Sequence, residues 1–497
     1  MRSATRHFPT RTSRSIAIAR NVRATDWILF WTGATAMVGA SLGFTWRYPL
    51  LGNTDVLTDI GIMSNYAAPA FISYLVGLSF LFGGYLVAVH SARHLPTGQV
   101  APPVFAIGAL LGGIFAGMYP VNAIDIFIYA VRSRIWTEYG LNPNAVRPDQ
   151  FWNDPYMQFA SPAWAGEVSP YGPLWNLIAA PGTWLGGDRI ATALLFYKLL
   201  AVFAVIATGL VIYRTLLATR PTNAAAGALF FLWNPLVLWE GIGNGHNDVL
   251  IALLIAAAAF AWVKRAYALV IPILVAATAI KYITLLLIPL AIVAIWRILP
   301  TWHARARAAI ASAILSFGIA LVALYPFYEI GALVDSVDRQ SALFATSPAA
   351  VAVDQLRAFV GKRDARSVVV GVGTSLLVFS AIVLLVSVWR RPDRLIRAWF
   401  EMLFVFLALA TWNFRGWYLI WLIAGAALLP FGWPAVRMVT WVAGNLAAYS
   451  LFIWIWAWWE VDFATIQNVA VPIMFTAPLL LTAVELARRI GPNNPRS

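Results

Sequence analysis

Residues 367–389, SVVVGVGTSLLVFSAIVLLVSVW, form an uninterrupted apolar stretch in the second half of the chain. The stretch contains no charged side chain, while Arg366 precedes it and Arg390 follows it. About 20 apolar residues in an α-helix cross the hydrocarbon core of a bilayer. Residues 367–389 therefore predict a membrane-spanning helix with a basic group at each end.

The composition extends this prediction to the whole chain. Hydrophobic residues make up 61% of the 497 residues and charged residues 11%, and the mean hydropathy is +0.74. Soluble domains average about 45–50% apolar and about 25% charged residues, so a water-soluble fold is excluded. The chain contains no cysteine, which excludes disulfides, a cysteine nucleophile and cysteine-ligated metal.

The formal net charge of +14 comes from 35 Lys and Arg against 21 Asp and Glu. These basic residues do not form one stripe but lie in short clusters between apolar runs. That distribution is typical of the cytoplasmic ends of membrane spans and disfavours a nucleic-acid partner. We therefore expect a multi-pass protein of the plasma membrane in contact with membrane lipid.

The apolar runs predict an all-α polytopic bundle of about 13–15 transmembrane helices with a large first outer loop. Fourteen candidate spans are found, at residues 27–46, 69–90, 101–119, 189–213, 223–239, 248–263, 267–280, 282–297, 306–327, 367–389, 398–412, 416–430, 434–457 and 468–487. They divide the chain into seven parts. These are a basic cytoplasmic tail (1–24), N-terminal spans (25–119), a catalytic outer loop (120–171), a core module (172–327), a second outer loop (328–366), C-terminal spans (367–490) and a tail (491–497).

The basic clusters predict which loops face the cytoplasm. Alternation from a cytoplasmic N-terminus places every cluster inside, provided that residues 172–186 make no net crossing. Residues 120–170 then face outward, and they contain five of the 21 carboxylates. The clusters that support this arrangement are Arg93, Arg214, Arg220, Lys264, Arg265, Arg297, Arg305, Arg307, Arg390, Arg391, Arg394, Arg397, Arg488 and Arg489.

The first group of candidate site residues follows the third span. Asp125, Tyr129 and Arg132 share one face of a helix through i+4 and i+7 spacing. A carboxylate that is partly desolvated at the membrane boundary can be tuned toward a general base. The alternative, which spacing alone favours equally, is an ordinary loop carboxylate paired with Arg132.

Two further polar motifs lie between apolar spans. Tyr171 and Trp175 could stack on a sugar, although most of the 24 tryptophans must serve packing or the aromatic belt. The second motif, Glu240-Gly-Ile-Gly-Asn244-Gly-His246-Asn247-Asp248, carries groups that are costly at membrane depth without a partner. His246 and Asp248 could bind an acceptor hydroxyl, a phosphate or a divalent cation, or they could form a turn network that caps the next helix.

Two cations interrupt apolar stretches on the predicted outer side. Lys281 divides residues 267–297, and Arg415 lies in Asn413-Phe-Arg-Gly-Trp-Tyr418. Because the positive-inside rule disfavours these positions, an anionic ligand such as a lipid phosphate would explain them. Snorkelling toward lipid headgroups is the alternative.

Five motifs together resemble the GT-C superfamily of membrane glycosyltransferases. Within it, the chain is most similar to the actinobacterial α-mannosyltransferases that depend on polyprenol-phosphate mannose. The motifs occur in the family's order between about residues 100 and 430, and they are Asp125-x-x-x-Tyr129, Gly140-x-Asn142-Pro143, Ser169-Pro-Tyr171-Gly-Pro-Leu-Trp175, Asn234-Pro-Leu236 and Gly245-His246-Asn247-Asp248.

The resemblance implies an inverting transfer of mannose from a polyprenyl-phosphate carrier to a glycolipid or polysaccharide on the outer side of the membrane. It implies that Asp125 is the catalytic base. Lys281, Arg415 and Arg132 are then expected to bind the donor phosphate. The residues expected to bind acceptor or sugar are Tyr129, Tyr171, Trp175, His246, Asn247 and Asp248.

The residues themselves agree with a lipid-linked donor. The chain has no Asp-x-Asp pair, so a metal-held nucleotide sugar is poorly supported. No cofactor is certain, and the need for a divalent cation is left open. A transporter or flippase for lipid-linked saccharides is the alternative function, and a transferase using a diphosphate carrier is a third.

Overall fold

The computed structural model describes residues 23–54, 57–327, 329, 331 and 345–490. Most of the predicted basic N-terminal tail, part of the 328–366 loop and the 491–497 tail lie outside the described residues.

The described part of the chain is all-α, as predicted. It contains two isolated bridges, Pro49 with Met118 and Ala345 with Asn413, and no β-strand. The helices are α1 Ala24–Arg47, α2 Ile60–Met63, α3 Ala68–Ala92, α4 Thr97–Ala116, α5 Asp125–Thr137, α6 Pro162–Ala165, α7 Pro173–Gly186, α8 Ile190–Thr219, α9 Ala224–Leu232, α10 Asp248–Val263, α11 Tyr267–Thr278, α12 Ile288–Ile298, α13 Trp302–Leu324, α14 Pro348–Val360, α15 Lys362–Arg390, α16 Leu395–Val405, α17 Leu419–Ala427, α18 Trp433–Ser450, α19 Trp456–Trp459 and α20 Phe463–Ile490.

Eight helical segments among the described residues are long and apolar enough to cross a bilayer, and a bent pair raises the number to nine. The pair joins Pro221–Leu232 to Val237–Gly243 with a bend of 54°. The polytopic prediction is confirmed. Most of the other predicted spans correspond to shorter apolar helices, at Asp248–Val263, Tyr267–Thr278, Tyr282–Ile298 and Gly416–Ala427.

The short helices α9 and α17 lie inside the bundle, where protein replaces lipid as their environment. Every residue of α9 and α17 is buried. By contrast, only 11% of the most apolar segment of α13 and 6% of that of α15 are buried. Bilayer thickness therefore sets the length of the peripheral helices, whereas packing against neighbours satisfies the short central ones.

Helix α7 accounts for the segment that was predicted not to cross. Its 14 residues span about 21 Å, which is less than the bilayer core of about 30 Å. The helix is fixed to its neighbours by polar contacts: Tyr197 of α8 donates to the Ala179 carbonyl at 3.1 Å, and the Ser133 and Thr183 hydroxyls lie 3.0 Å apart. Helix α7 therefore supports α5 from the side.

The long polar loop after α5 folds back onto that helix. Arg134 of α5 donates to the Asp154 carboxylate at 2.7 Å and to the Gly187 carbonyl at 2.6 Å. The Tyr139 hydroxyl donates to the same carboxylate at 2.9 Å. A buried arginine thus ties the loop to the α7–α8 turn and gives α5 a fixed orientation.

A second ionic cluster joins three C-terminal helices. Arg437 of α18 contacts Glu401 of α16 at 2.6 Å and Glu485 of α20 at 3.2 Å, and Arg397 contacts Glu485 at 2.7 Å. These ion pairs connect the three helices, and Nε of Arg437 has no hydrogen-bond partner among the described residues.

Candidate functional site

A cavity of about 510 Å³ lies between the start of α5, the 413–418 loop and the C-terminal half of α18. A space of this size accommodates a sugar unit together with a phosphate group. Its lining includes Asp125, Arg132, Tyr171, Arg415, Trp417 and Tyr449. The structure therefore brings four of the predicted site residues to one cavity.

Asp125 is the first residue of α5 and has little compensation for its charge. Its Oδ2 accepts a hydrogen bond from the Tyr171 hydroxyl at 3.3 Å, and its side chain is 15% exposed. No lysine or arginine forms an ion pair with it in the described ranges. The alternative that the sequence left open, pairing with Arg132, is not formed, so the carboxylate is available to a ligand.

Arg132 instead stabilises the loop that closes over α5. Its Nη2 donates to the carbonyl oxygens of Glu167 at 3.0 Å and Trp164 at 3.4 Å. Burial lowers the pKa of Arg132 to about 10, so the side chain is still cationic at neutral pH. Within the described chain its Nε is buried and has no hydrogen-bond partner.

Arg415 is the second cation on the cavity wall. It is half-buried and lies over the Trp417 ring, with 6.0 Å between its Cζ and the ring centroid. It makes no ion pair with a carboxylate in the part of the chain described. Arg415 therefore presents an uncompensated positive charge to the cavity.

Lys281 has a different environment from the one predicted for a phosphate ligand. Its Nζ donates to both carboxylate oxygens of Asp248, at 2.9 and 3.0 Å. The ammonium also lies 4.5 Å from the Tyr418 ring centroid and 5.3 Å from that of Trp421. Lys281 and Asp248 thus neutralise each other beside the cavity, and neither is part of its lining.

The backbone explains how Lys281 comes close to Tyr171. The amides of Gly172 and Leu174 donate to the carbonyls of Ile280 and Ala279, both at 2.9 Å. A Cβ on Gly172 would lie 2.2 Å from the Ala279 oxygen, so only glycine permits this approach. The Tyr171-Gly172-Pro173 motif therefore has a structural reason for its glycine.

Tyr129 and Trp175 lie behind Tyr171 rather than in the cavity. The Tyr129 ring packs edge-on against Tyr171 at 5.1 Å and against Trp175 at 4.9 Å. Both are almost fully buried, whereas Tyr171 reaches the cavity. The three rings form a rigid wall in which Tyr171 supplies the contact surface.

His246 reaches Asp125 because the turn before it packs tightly on α5. Gly245 has φ +74, and a Cβ there would lie 2.3 Å from Ile126 Cδ1, so another residue would strain the backbone and displace the Ile126 side chain. The turn places His246 Nε2 3.8 Å from Asp125 Oδ2. Asn247 follows in the same turn and is buried, with both side-chain polar atoms unpaired among the described residues.

The imidazole of His246 is fixed from three sides. It stacks on Trp417 with ring centroids 3.8 Å apart and an interplanar angle of 19°. Its Nδ1 lies 2.9 Å from the Glu240 carbonyl oxygen and 3.4 Å from Glu240 Oε2. Complete burial lowers the pKa of His246 to about 4, so the ring is neutral at physiological pH.

Glu240 and three further polar residues received no role from the sequence. The Glu240 carboxylate accepts hydrogen bonds from the Tyr449 hydroxyl and from Asn244 Nδ2, the latter at 2.9 Å. Asn122 Nδ2 and Asn445 Nδ2 lie on cavity residues and lack partners in the described chain. The one available signal for Asn445 and Tyr449 was their i, i+4 spacing inside an apolar span.

A buried lysine holds the segment that carries Glu240. Lys198 of α8 donates to the carbonyl oxygens of Ile242 and Gly243, the first at 3.2 Å. These carbonyls end the π-helical segment Val237–Gly243, whose wider turn leaves backbone groups without their usual partners. Lys198 therefore stabilises the local backbone next to the His246 turn.

The described residues hold no group of three or more His, Asp or Glu side chains arranged for a metal ion. The lining of the cavity instead carries two carboxylates, Asp59 and Asp125, together with two guanidinium groups and several amides. Such a set can bind hydroxyl groups and an anion at the same time, and it can accept a proton.

Sequence comparison connects this geometry to a family. The family described as alpha-(1->6)-mannopyranosyltransferase, N-terminal domain, matches residues 28–297, which is more than half of the chain. The chain belongs to this family. The match contains Asp125, the His246 turn and Lys281, and it confirms the resemblance to actinobacterial mannosyltransferases.

Two relatives from Corynebacterium glutamicum extend the comparison. Alpha-(1->6)-mannopyranosyltransferase A is 27% identical over 229 residues, covering 43% of this chain and 44% of that protein. Alpha-(1->6)-mannopyranosyltransferase B is 30% identical over 206 residues, covering 41% of this chain and 32% of that protein. The alignments thus span less than half of either relative, and Arg415, Trp417 and Tyr449 lie beyond the family match.

Proposed function

We propose that this protein is an inverting mannosyltransferase that moves mannose from a polyprenyl-phosphate carrier to a glycolipid or polysaccharide acceptor. The observation that carries the proposal is the cavity itself, where the Asp125 carboxylate and the Arg415 guanidinium are both uncompensated. A substrate with a hydroxyl at one end and a departing phosphate at the other satisfies both groups. Both relatives are named alpha-(1->6)-mannopyranosyltransferases, which supports mannose as the sugar.

In the proposed reaction Asp125 removes the proton of the acceptor hydroxyl while its oxygen attacks the anomeric carbon of mannose. The bond from that carbon to the phosphate oxygen breaks, and the phosphate leaves as an anion. The guanidinium groups of Arg415 and Arg132, both in the lining of the cavity, stabilise the charge that develops on it. A single displacement of this kind inverts the anomeric centre.

The remaining predicted residues receive separate roles. Tyr171 donates to Asp125 and offers a ring face to the sugar. Lys281 and Asp248 hold the wall beneath Tyr171, since their charges satisfy each other. The unpaired amide donors of Asn122 and Asn445 would bind sugar hydroxyls, because buried polar groups without partners cost about 1–3 kcal/mol each.

The helix directions support an outward-facing site. Helix α4 begins after Arg93 and ends near Asn122 of the cavity, and α20 begins at the cavity residue Phe463 and ends after Arg488. The cavity and these basic residues therefore lie at opposite ends of the same helices. By the positive-inside rule the basic end is cytoplasmic, so the cavity faces outward from the plasma membrane.

The test is a transfer assay with the purified protein and two donors. Polyprenyl-phosphate mannose and GDP-mannose would each be incubated with a synthetic α-(1->6)-linked dimannoside as acceptor. We expect a trisaccharide and free polyprenyl phosphate from the lipid donor alone, with the new linkage of opposite anomeric configuration to the donor by NMR. Transfer from GDP-mannose, or retention of configuration, would contradict the proposal.

A further inference from the structure

Behind Asp125 the structure aligns two more titratable groups, His246 and Glu240, that the transfer reaction as described does not use. Resting on the proposed function, we propose that the three side chains form a proton relay. In this relay Nε2 of His246 takes from Asp125 the proton of the acceptor hydroxyl, while Glu240 fixes the ring with Nδ1 as donor. Glu240 and His246 then act through Asp125 and are positioning residues.

The backbone determines the tautomer of His246. Its Nδ1 lies 2.9 Å from the carbonyl oxygen of Glu240, and a carbonyl can only accept a hydrogen bond. Nδ1 therefore carries the hydrogen, and in the neutral ring Nε2 carries a lone pair. That Nε2 atom is buried and has no hydrogen-bond partner among the described residues.

The atom opposite Nε2 explains why it is unpaired. Asp125 Oδ2 lies 3.8 Å away, and an ionised carboxylate and a bare ring nitrogen are both acceptors. They cannot bond until one of them holds a proton. Once Asp125 has taken the acceptor proton, the two groups are complementary, and a small side-chain rotation that shortens the 3.8 Å separation lets Asp125 donate to Nε2.

Charges on every side of the ring determine how readily it takes up this proton. Asp125 on α5, 3.8 Å from Nε2, and Glu240 on the π-helical segment, 3.4 Å from Nδ1, are carboxylates that favour an imidazolium. Lys281 and Arg415, together with burial under Trp417, oppose it. The ring is therefore neutral at rest, and Glu240 Oε2, 3.4 Å from Nδ1, stabilises the positive charge while the proton is in transit.

The relay is balanced in atoms and charge. The acceptor oxygen forms its bond to the anomeric carbon, and the electron pair of the broken bond goes to the phosphate oxygen. The acceptor proton passes to Asp125 and then to Nε2, which returns Asp125 to its ionised form. When the product leaves and water fills the cavity, the imidazolium releases the proton to water and the site is reset.

Mutations at two positions separate the relay from the base. Single-turnover rates with polyprenyl-phosphate mannose would be measured across acidic pH for the wild type, H246Q and E240Q. H303Q and E138Q are matched controls at exposed positions. Because both Asp125 and His246 must be unprotonated, the acidic limb of log rate against pH should approach a slope of about two in the wild type and about one in H246Q.

We also expect H246Q to lower the rate at neutral pH by about tenfold at unchanged donor KM, and E240Q to lower it by a smaller factor while keeping the steeper slope. A wild-type slope in H246Q, or a rate within about twofold of the wild type, would overturn the relay. If H246Q does not fold, an E240Q rate equal to that of E138Q overturns it. The D125N variant distinguishes failure of the relay from failure of the proposed function. If D125N is inactive and H246Q behaves as the wild type, only the relay is refuted. If D125N is active, the assignment of Asp125 as the base is refuted.

Discussion

Replacing Asp125 by Asn tests the central group of the site with little change in shape. Asn retains an oxygen that can accept the Tyr171 hydrogen bond, which is already long at 3.3 Å. Because Asp125 forms no ion pair with Lys or Arg in the described ranges, its neutralisation breaks no salt bridge. We therefore expect the free energy of unfolding to change by less than about 0.5–1 kcal/mol.

The effect on catalysis should be much larger than the effect on stability. A positioned general base contributes about 10²–10⁴ in rate, so the barrier for transfer should rise by about 2.7–5.4 kcal/mol. D248N is the matched control, since it makes the same chemical change in a buried carboxylate bonded to Lys281 at 2.9 Å. Breaking that pair leaves an unpaired buried ammonium and should cost about 3–5 kcal/mol of stability.

The assay combines thermal unfolding in detergent, followed by tryptophan fluorescence, with initial rates of mannose transfer. The expected pattern is a normal melting temperature with lost activity for D125N, and a lowered melting temperature for D248N. A D125N protein that melts normally and keeps more than about one tenth of the rate would refute the assignment of the base. A D125N protein that melts at as low a temperature as D248N would refute the conclusion that no salt bridge of Asp125 stabilises the fold.

Three further predictions address the phosphate site, the backbone and pH. R415Q should reduce the rate of transfer by about 10–100-fold with an unchanged melting temperature, because the charge of Arg415 faces the cavity without a partner. An unchanged single-turnover rate in R415Q would contradict this prediction. G172A should lower the melting temperature by more than about 5 °C, because its Cβ would lie 2.2 Å from the Ala279 oxygen. G83A is the control, since a Cβ at Gly83 meets nothing within 4 Å, and it should not lower the melting temperature. Equal melting temperatures for the two variants would exclude the close approach at Gly172. Burial lowers the pKa of His246 to about 4. The contribution of the neutral ring to the free energy of unfolding should be full above pH 6.5 and should be lost as the pH falls toward 4. The reason is that in this range the unfolded chain takes up a proton that the folded chain excludes. H246Q should lack this component of the melting curve, and an identical pH dependence in both proteins would show that the ring is not neutral.

Of the ten site residues that the sequence predicted, four lie in the lining of the cavity. Asp125, Arg132, Tyr171 and Arg415 all line one cavity, as a shared site requires. Lys281 was equally conspicuous in the sequence, since it interrupts an apolar stretch. Its bond to Asp248 could not be read from the sequence, because the two residues lie 33 positions apart and meet only through helix packing.

Glu240 illustrates what sequence reasoning lacked. It belongs to a motif that was recognised, but its hydrogen-bond partner Tyr449 lies 209 positions away in an otherwise apolar span. Neither residue is informative alone. Only the tertiary contact of Tyr449 with Glu240 shows that a buried carboxylate, a hydroxyl and the His246 ring form one polar chain.

The helical, membrane-spanning character of the protein was determined by the sequence alone, because the length of an apolar run and the need to satisfy backbone groups in lipid are local properties. The basic clusters likewise indicated which ends of the helices share a side. Tertiary structure decided which charges are compensated and which stay open: Lys281 is neutralised by Asp248, while Asp125 and Arg415 face the cavity. The physical reason is that electrostatic compensation depends on distances of a few ångströms between helices, and the order of residues along the chain does not specify those distances.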